Sequence, residues 1–142
     1  MDFATTVEVD APAEALWRAV ADVEQWPAWT RSMQEVSWVG GGELAVGSRA
    51  RVKQPGLPRL VWEVSELAPG RSFTWRTTSP GVTTTGTHLV RPLGSGRAQL
   101  TVGISQSGPM APLVGLLTGR RTGRYIRLEA DGLKRCAESA GR

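Results

Sequence analysis

His88 and Glu129 are the side chains in this sequence best suited to moving a proton. His88 is the only histidine. An imidazole titrates in the physiological range and can act as general base or general acid. It lies in the β-favouring stretch TTTGTHLV. If Val82, Gly86, His88 and Val90 share the inward side, the ring points into the protein. The opposite parity exposes His88 and buries Leu89, and alternation alone does not decide between them. A hydrogen-bonded structural or surface histidine explains the residue equally well without chemistry. Gly86, two residues earlier, marks a bend or a close backbone approach.

Glu129 falls between Ile126 and Leu133 on the apolar arc of a C-terminal helical wheel. A free carboxylate there is costly, so it requires a partner. From Leu67 to Leu128 the chain holds eight arginines and no acid. The expected partner is therefore an arginine or His88, with Glu129 ionised. A purely structural ion pair accounts for the same position. Arg121 lies at the edge of this face, where it can meet an acidic ligand or snorkel to solvent. Tyr125 flanks the same arc.

The bulk composition narrows the classes. The chain has 142 residues, enough for one domain over residues 1–142 with a real core. Six tryptophans stand against two phenylalanines and one tyrosine. A lone Cys136 excludes an internal disulfide, and with a single histidine no metal site is expected. No nucleophilic Ser-His-Asp or Cys-His arrangement and no phosphate loop is recognisable, and no cofactor is expected. The N-terminus does not resemble a signal peptide, and the longest apolar stretch, near Met110 to Leu117, is too short to span a bilayer. A cytoplasmic location is expected. The net charge of +4 divides into −4 over residues 1–70 and +8 over residues 71–142. Since the arginines are spaced out rather than in a run, the two halves are expected to neutralise each other across one fold. The aromatics lie on core parities rather than between exposed basic residues, so nucleic-acid binding is not expected.

These candidates need elements to position them. Phe3 to Val9 alternates and reads as a first strand. Asp10-Ala11-Pro12 reads as a helix start with an acidic cap residue. Ala15, Leu16, Ala19, Val20 and Val23 then recur at helical spacing until Pro27 imposes a boundary before a second short helix. Short alternating runs around Val36, Arg49, Leu60, Phe73, Val82 and Leu100, separated by Pro-Gly and Gly-rich turns, describe an antiparallel meander. Ser107-Gly108-Pro109 ends the last strand and opens a long amphipathic helix.

This order, together with WRAVADVEQWPAWT, GSRARVKQPGLPRLVWEV, PGRSFTW, GTHLV and LEADGLKRCAE, resembles the polyketide cyclase/dehydrase-like branch of the START-related, birch-pollen-allergen-like superfamily. The resemblance covers nearly the whole chain. It implies an α+β helix-grip fold: a curved antiparallel sheet of about seven strands wrapped around the long C-terminal helix, with two short helices after the first strand. It also implies a ligand cavity between sheet and helix. Strand parity nominates Trp62, Phe73, Trp75, Leu100, Val102 and Ile104 to line it, and plain core is the competing role for each. Trp26 and Trp29 are expected to pack the helix-to-helix corner, with Trp29 the nearer to the cavity. Trp29, Trp62, Phe73, Trp75, His88, Arg121 and Tyr125 are thus the ligand-binding candidates.

The first expectation for function is binding of a hydrophobic, lipid-like or polycyclic small molecule, by a monomer or homodimer. The alternative is a polyketide cyclase or aromatase in which His88 or Glu129 moves protons. A protein-interaction module using the basic face of the helix is a third reading. Gly115, Gly119 and Gly123, each costing about 1 kcal/mol relative to alanine, mark the first half of the helix as a mobile lid beside the cavity mouth.

Overall fold

A computed structural model describes residues 2–140. Strand β1 (Asp2–Val9) leads into helix α1 (Ala13–Ala21), a 3-10 turn (Val23–Gln25) and the short helix α2 (Trp26–Trp29). Six further strands follow: β2 (Glu35–Trp38), β3 (Arg49–Lys53), β4 (Leu60–Ala68), β5 (Ser72–Ser79), β6 (Val82–Gly94) and β7 (Arg97–Ser107). Helix α3 (Ala111–Ala140) closes the order. This is the helix-grip fold that the sequence order implied.

The seven strands form one antiparallel sheet in the order β1-β7-β6-β5-β4-β3-β2. Consecutive strands β1 and β2 therefore occupy opposite edges, and the α1–α2 segment spans the distance between them. A register shift between Val64 and Glu66 on β4 adds a bulge, which bends and twists a strand locally. Alternation holds along the strands as expected: Phe73 and Trp75 on β5 and Val90 on β6 are buried, while Leu89 is 48% exposed.

One detail of the helix start differs from expectation. Pro12, not an acidic residue, occupies the cap position of α1, with no side-chain cap bond. Asp10 lies two residues too early, and its backbone N–H donates instead to the Glu138 carboxylate at 2.8 Å. The extended backbone and fixed φ of proline are enough to launch the helix.

Helix α3 packs chiefly on β1, β7 and α1. Its second half makes the closest approach. A Cβ on Gly132 would lie 2.5 Å from the Trp29 carbonyl oxygen and 2.9 Å from Thr30 Cβ, so only glycine permits this seat. The same carbonyl accepts a 2.8 Å hydrogen bond from Arg135. Acidic and basic halves of the chain also meet, as at Arg97–Glu8 (3.3 Å), although such exposed pairs contribute little to stability. No helix among the described residues is long and apolar enough to cross a membrane.

Burial along α3 is uneven. Ile126, Glu129, Ala130, Gly132, Leu133 and Ala137 are buried in the second half, but only Ala111 and Gly115 in the first. Leu116 and Leu117 are 76% and 73% exposed. Few buried contacts and three spaced glycines leave this part of the helix free to open locally. Amides from Gly115 to Gly123 are expected to exchange with deuterium faster than those from Leu128 to Leu133. Uniform protection along the helix would remove the idea of a loose first half.

Candidate functional site

Because α3 rests on the β1–β7 side of the sheet, space remains over the other strands. A cavity of about 370 Å³ fills it. Its floor is Trp62 on β4, Trp75 and Thr77 on β5, Gly86 and His88 on β6, and Val102 and Ile104 on β7. Its roof is the α3 face bearing Val114, Thr118, Arg121, Tyr125, Ile126 and Glu129. Gln54, Leu57 and Pro58, from the loop between β3 and β4, form one wall.

At the cavity wall the two proton-moving candidates meet. His88 Nε2 and Glu129 Oε2 are 3.0 Å apart, with the residues only 2% and 6% exposed. The inward parity of β6 brings the imidazole up from the sheet, and the apolar arc of α3 brings the carboxylate down. Glu129 thus has His88 as its partner rather than an arginine.

The imidazole is held by more than this bond. It stacks on Phe73 with ring centroids 4.2 Å apart and an interplanar angle of 14°. Trp26 lies 5.2 Å away and Trp75 lies 5.9 Å away, edge-on at 86°. With Nε2–H donating to Glu129, the Nδ1 lone pair is left as an acceptor. Nδ1 is buried without a hydrogen-bond partner, as is Nε1 of Trp62. Both atoms belong to residues that line the cavity, but the atoms themselves are closed to solvent, so a ligand atom or water reaches them only if a neighbouring side chain shifts.

Of the sequence-nominated residues, Trp62, Trp75, His88, Arg121 and Tyr125 gather on this cavity, with Val102 and Ile104. Phe73, Leu100 and Trp29 do not. Phe73 is fully buried beneath His88 and acts on the cavity through that ring. Leu100 is fully buried in the core. Trp29 points to the outside of the corner, lining a separate groove with Arg18, Asp22, Gln25 and Cys136. Its partner Trp26 is the one that turns inward, its Nε1–H donating to the Ala19 carbonyl at 3.2 Å. Both rings edge that groove and neither lines the cavity. Trp26, packed 5.2 Å from His88 and 5.5 Å from Trp75, is the nearer of the two, the reverse of the expected order. In the groove, burial followed by the charge of Asp22 pushes the Cys136 thiol up, so it is not an activated nucleophile.

Sequence reasoning missed the loop wall. Pro55-Gly56-Leu57-Pro58 reads as a turn, and an apolar Leu57 inside it was the available signal. Gly86 does mark a close approach: a Cβ there would lie 3.0 Å from Trp75 Nε1.

A curved sheet gripping one helix around a lined cavity defines a helix-grip protein. The sequence profile described as polyketide cyclase/dehydrase and lipid transport matches residues 1–138, and the chain belongs to this family. The ZhuI aromatase/cyclase from Streptomyces sp. R1128 is 22% identical, with a TM-score of 0.77 over 100% of this chain and 96% of that one. A hypothetical protein from Helicobacter pylori is 17% identical, with a TM-score of 0.81 over 100% and 88%. Norcoclaurine synthase from Thalictrum flavum, solved with dopamine and hydroxybenzaldehyde, is 16% identical, with a TM-score of 0.69 over 95% and 84%. At these identities the likeness is one of fold. No curated protein matches the chain by sequence. Family and fold support a ligand-binding or cyclase role.

The His88–Glu129 contact makes a stability prediction. Glu129→Leu would leave Nε2 buried without a partner, a loss of about 1–3 kcal/mol. An arginine partner would have made the loss larger, because a guanidinium cannot shed its charge whereas an imidazole can. Asp131→Leu, on the exposed side of the same helix, should change stability little. Urea unfolding of both variants checks this. Equal small losses would mean that the contact adds nothing to the fold.

Proposed function

We propose that this protein, as one domain over residues 1–142, binds a hydrophobic small molecule, lipid-like or polycyclic, in the cavity between the sheet and α3. The observation that carries the reading is the cavity itself. At about 370 Å³ it falls within the range of small-molecule sites, about 300–1,000 Å³, at the small end. Its wall is largely apolar and aromatic, with a few convergent polar groups, as such sites require. A cytoplasmic location and the absence of a nucleic-acid partner belong to the same reading, on the sequence grounds given above.

Trp62 and Trp75 report on occupancy, since both line the cavity. A bound hydrophobic molecule should quench or shift tryptophan emission, and Trp75→Leu should weaken the response. If fatty acids, sterols and polyaromatic compounds all leave emission unchanged, the binding reading loses its support. Native mass spectrometry of freshly purified protein would identify a co-purifying ligand directly.

A second reading, a cyclase or aromatase, is favoured by the 3.0 Å contact between His88 and Glu129. Glu129 would orient the ring, and His88 Nδ1, once a shift of a neighbouring side chain exposes it to the cavity, would remove a proton from a methylene flanked by carbonyls. The enolate carbon would then attack a second carbonyl of the same chain. The imidazolium would return the proton to the new alkoxide, and loss of water would follow. On this reading Glu129→Gln keeps the fold and the ligand but lowers turnover of a β-polyketone substrate by about a hundredfold or more, the usual size of general base catalysis. Unchanged turnover would leave the pair a structural one.

A further inference from the structure

We propose that the ligand carries a carboxylate and that Arg121 receives it. This deepens the reading of the cavity as a hydrophobic-ligand site and rests on it.

Arg121, Tyr125 and Glu129 follow one another at four-residue spacing, and all three line the cavity. They form a polar stripe along a roof that also carries Val114, Thr118, Thr122 and Ile126. The eight steps from Arg121 to Glu129 span about 12 Å of helix. One end of the stripe is complete, since Glu129 is bonded to His88. The middle is complete too, because Tyr125 Oη donates to the Pro55 carbonyl. Arg121 alone has neither an ion pair nor a hydrogen bond among the described residues.

Its surroundings offer it little. A Cβ on Gly56 would lie 3.2 Å from Arg121 Nη1, so the guanidinium sits against the bare backbone of the loop between β3 and β4. Three carbonyls of that loop already have donors. Lys53 Nζ donates to the Gln54 and Leu57 carbonyls, and Tyr125 takes that of Pro55. Among the described residues, the sole carboxylate on the cavity wall is Glu129, two helical turns away and already partnered, and Arg121 is the only Lys or Arg there. Arg121 is half-buried, and its guanidinium brings five donors without an acceptor in the chain's described residues. A carboxylate fits it in a bidentate fashion and neutralises it.

The geometry points to an amphipathic acid, with its head at Arg121 and its body running between Trp62, Trp75 and Ile104 toward His88. A neutral lipid or a cation would leave the guanidinium as it is.

The test compares dodecanoic acid, dodecanol and dodecyltrimethylammonium, each titrated below micelle formation, at a pH where the acid is ionised. Tryptophan emission is the readout. The acid should bind about tenfold to a hundredfold more tightly than the alcohol, the size of a charge-assisted hydrogen bond. Arg121→Gln should bring the acid to the level of the alcohol and leave the alcohol unchanged. Arg120→Gln, which removes an exposed charge on the neighbouring residue, should preserve the preference. Equal binding of acid and alcohol overturns the proposal while the cavity reading stands. So does a preference that survives Arg121→Gln or is lost equally in Arg120→Gln. If none of the three binds, the cavity reading falls and the proposal falls with it.

Discussion

A helix about 10 Å across cannot cover seven strands spaced about 4.8 Å apart. That mismatch organises the molecule. Helix α3 seats on the β1–β7 side, where Gly132 lets its backbone meet the Trp29–Thr30 corner. The strands it leaves uncovered would otherwise expose apolar side chains. The bulged sheet, the overhanging face of α3 and the loop between β3 and β4 enclose that space as a cavity instead. The cavity is thus a consequence of how one helix and one wide sheet share a core.

The two ends of the arrangement differ in rigidity. Behind the cavity, Trp26, Phe73, Trp75 and His88 form a block of ring contacts with centroids between 4.2 and 6.2 Å apart. Such a block fixes the imidazole far better than a single hydrogen bond, since each ring pair restricts the next. The cavity also meets the sparsely buried first half of α3, through Val114 and Thr118, and a loop held by side-chain-to-backbone bonds from Lys53 and Tyr125. A fixed wall beside looser ones suits a site that must admit a ligand yet hold it in one orientation.

The fold leaves the chemistry open, because one architecture hosts carriers and enzymes alike. What separates the roles here is the use of three side chains on one helix face. Glu129 and His88 satisfy each other and can also hold a proton at a defined place. Arg121 has no such partner among the described residues. The polar stripe therefore has a closed end and an open end, and an asymmetric ligand would complete it.

Much of this was legible in the sequence. Alternation set the strands and their inward sides, turn residues set their boundaries, and the helical wheel singled out Glu129 as a carboxylate needing a partner. These signals are local and depend only on periods of 2 and 3.6 residues. Other features were not legible, because each depends on elements distant in the chain. Parity left the direction of His88 open, and the packing of β6 against α3 decided it. The corner WPAW named two tryptophans without saying which turns inward; the orientation of α2 against the sheet sends Trp26 in and Trp29 out. A strand pattern cannot distinguish cavity from core, so Phe73 and Leu100 share the parity of lining residues, yet the rings of Trp26 and His88 cover Phe73 and the core encloses Leu100. The loop PGLP read as a turn, and became a cavity wall only through Tyr125, seventy residues later. Sequence determined which faces are apolar; the tertiary structure decided which of those faces meet one another and which meet empty space.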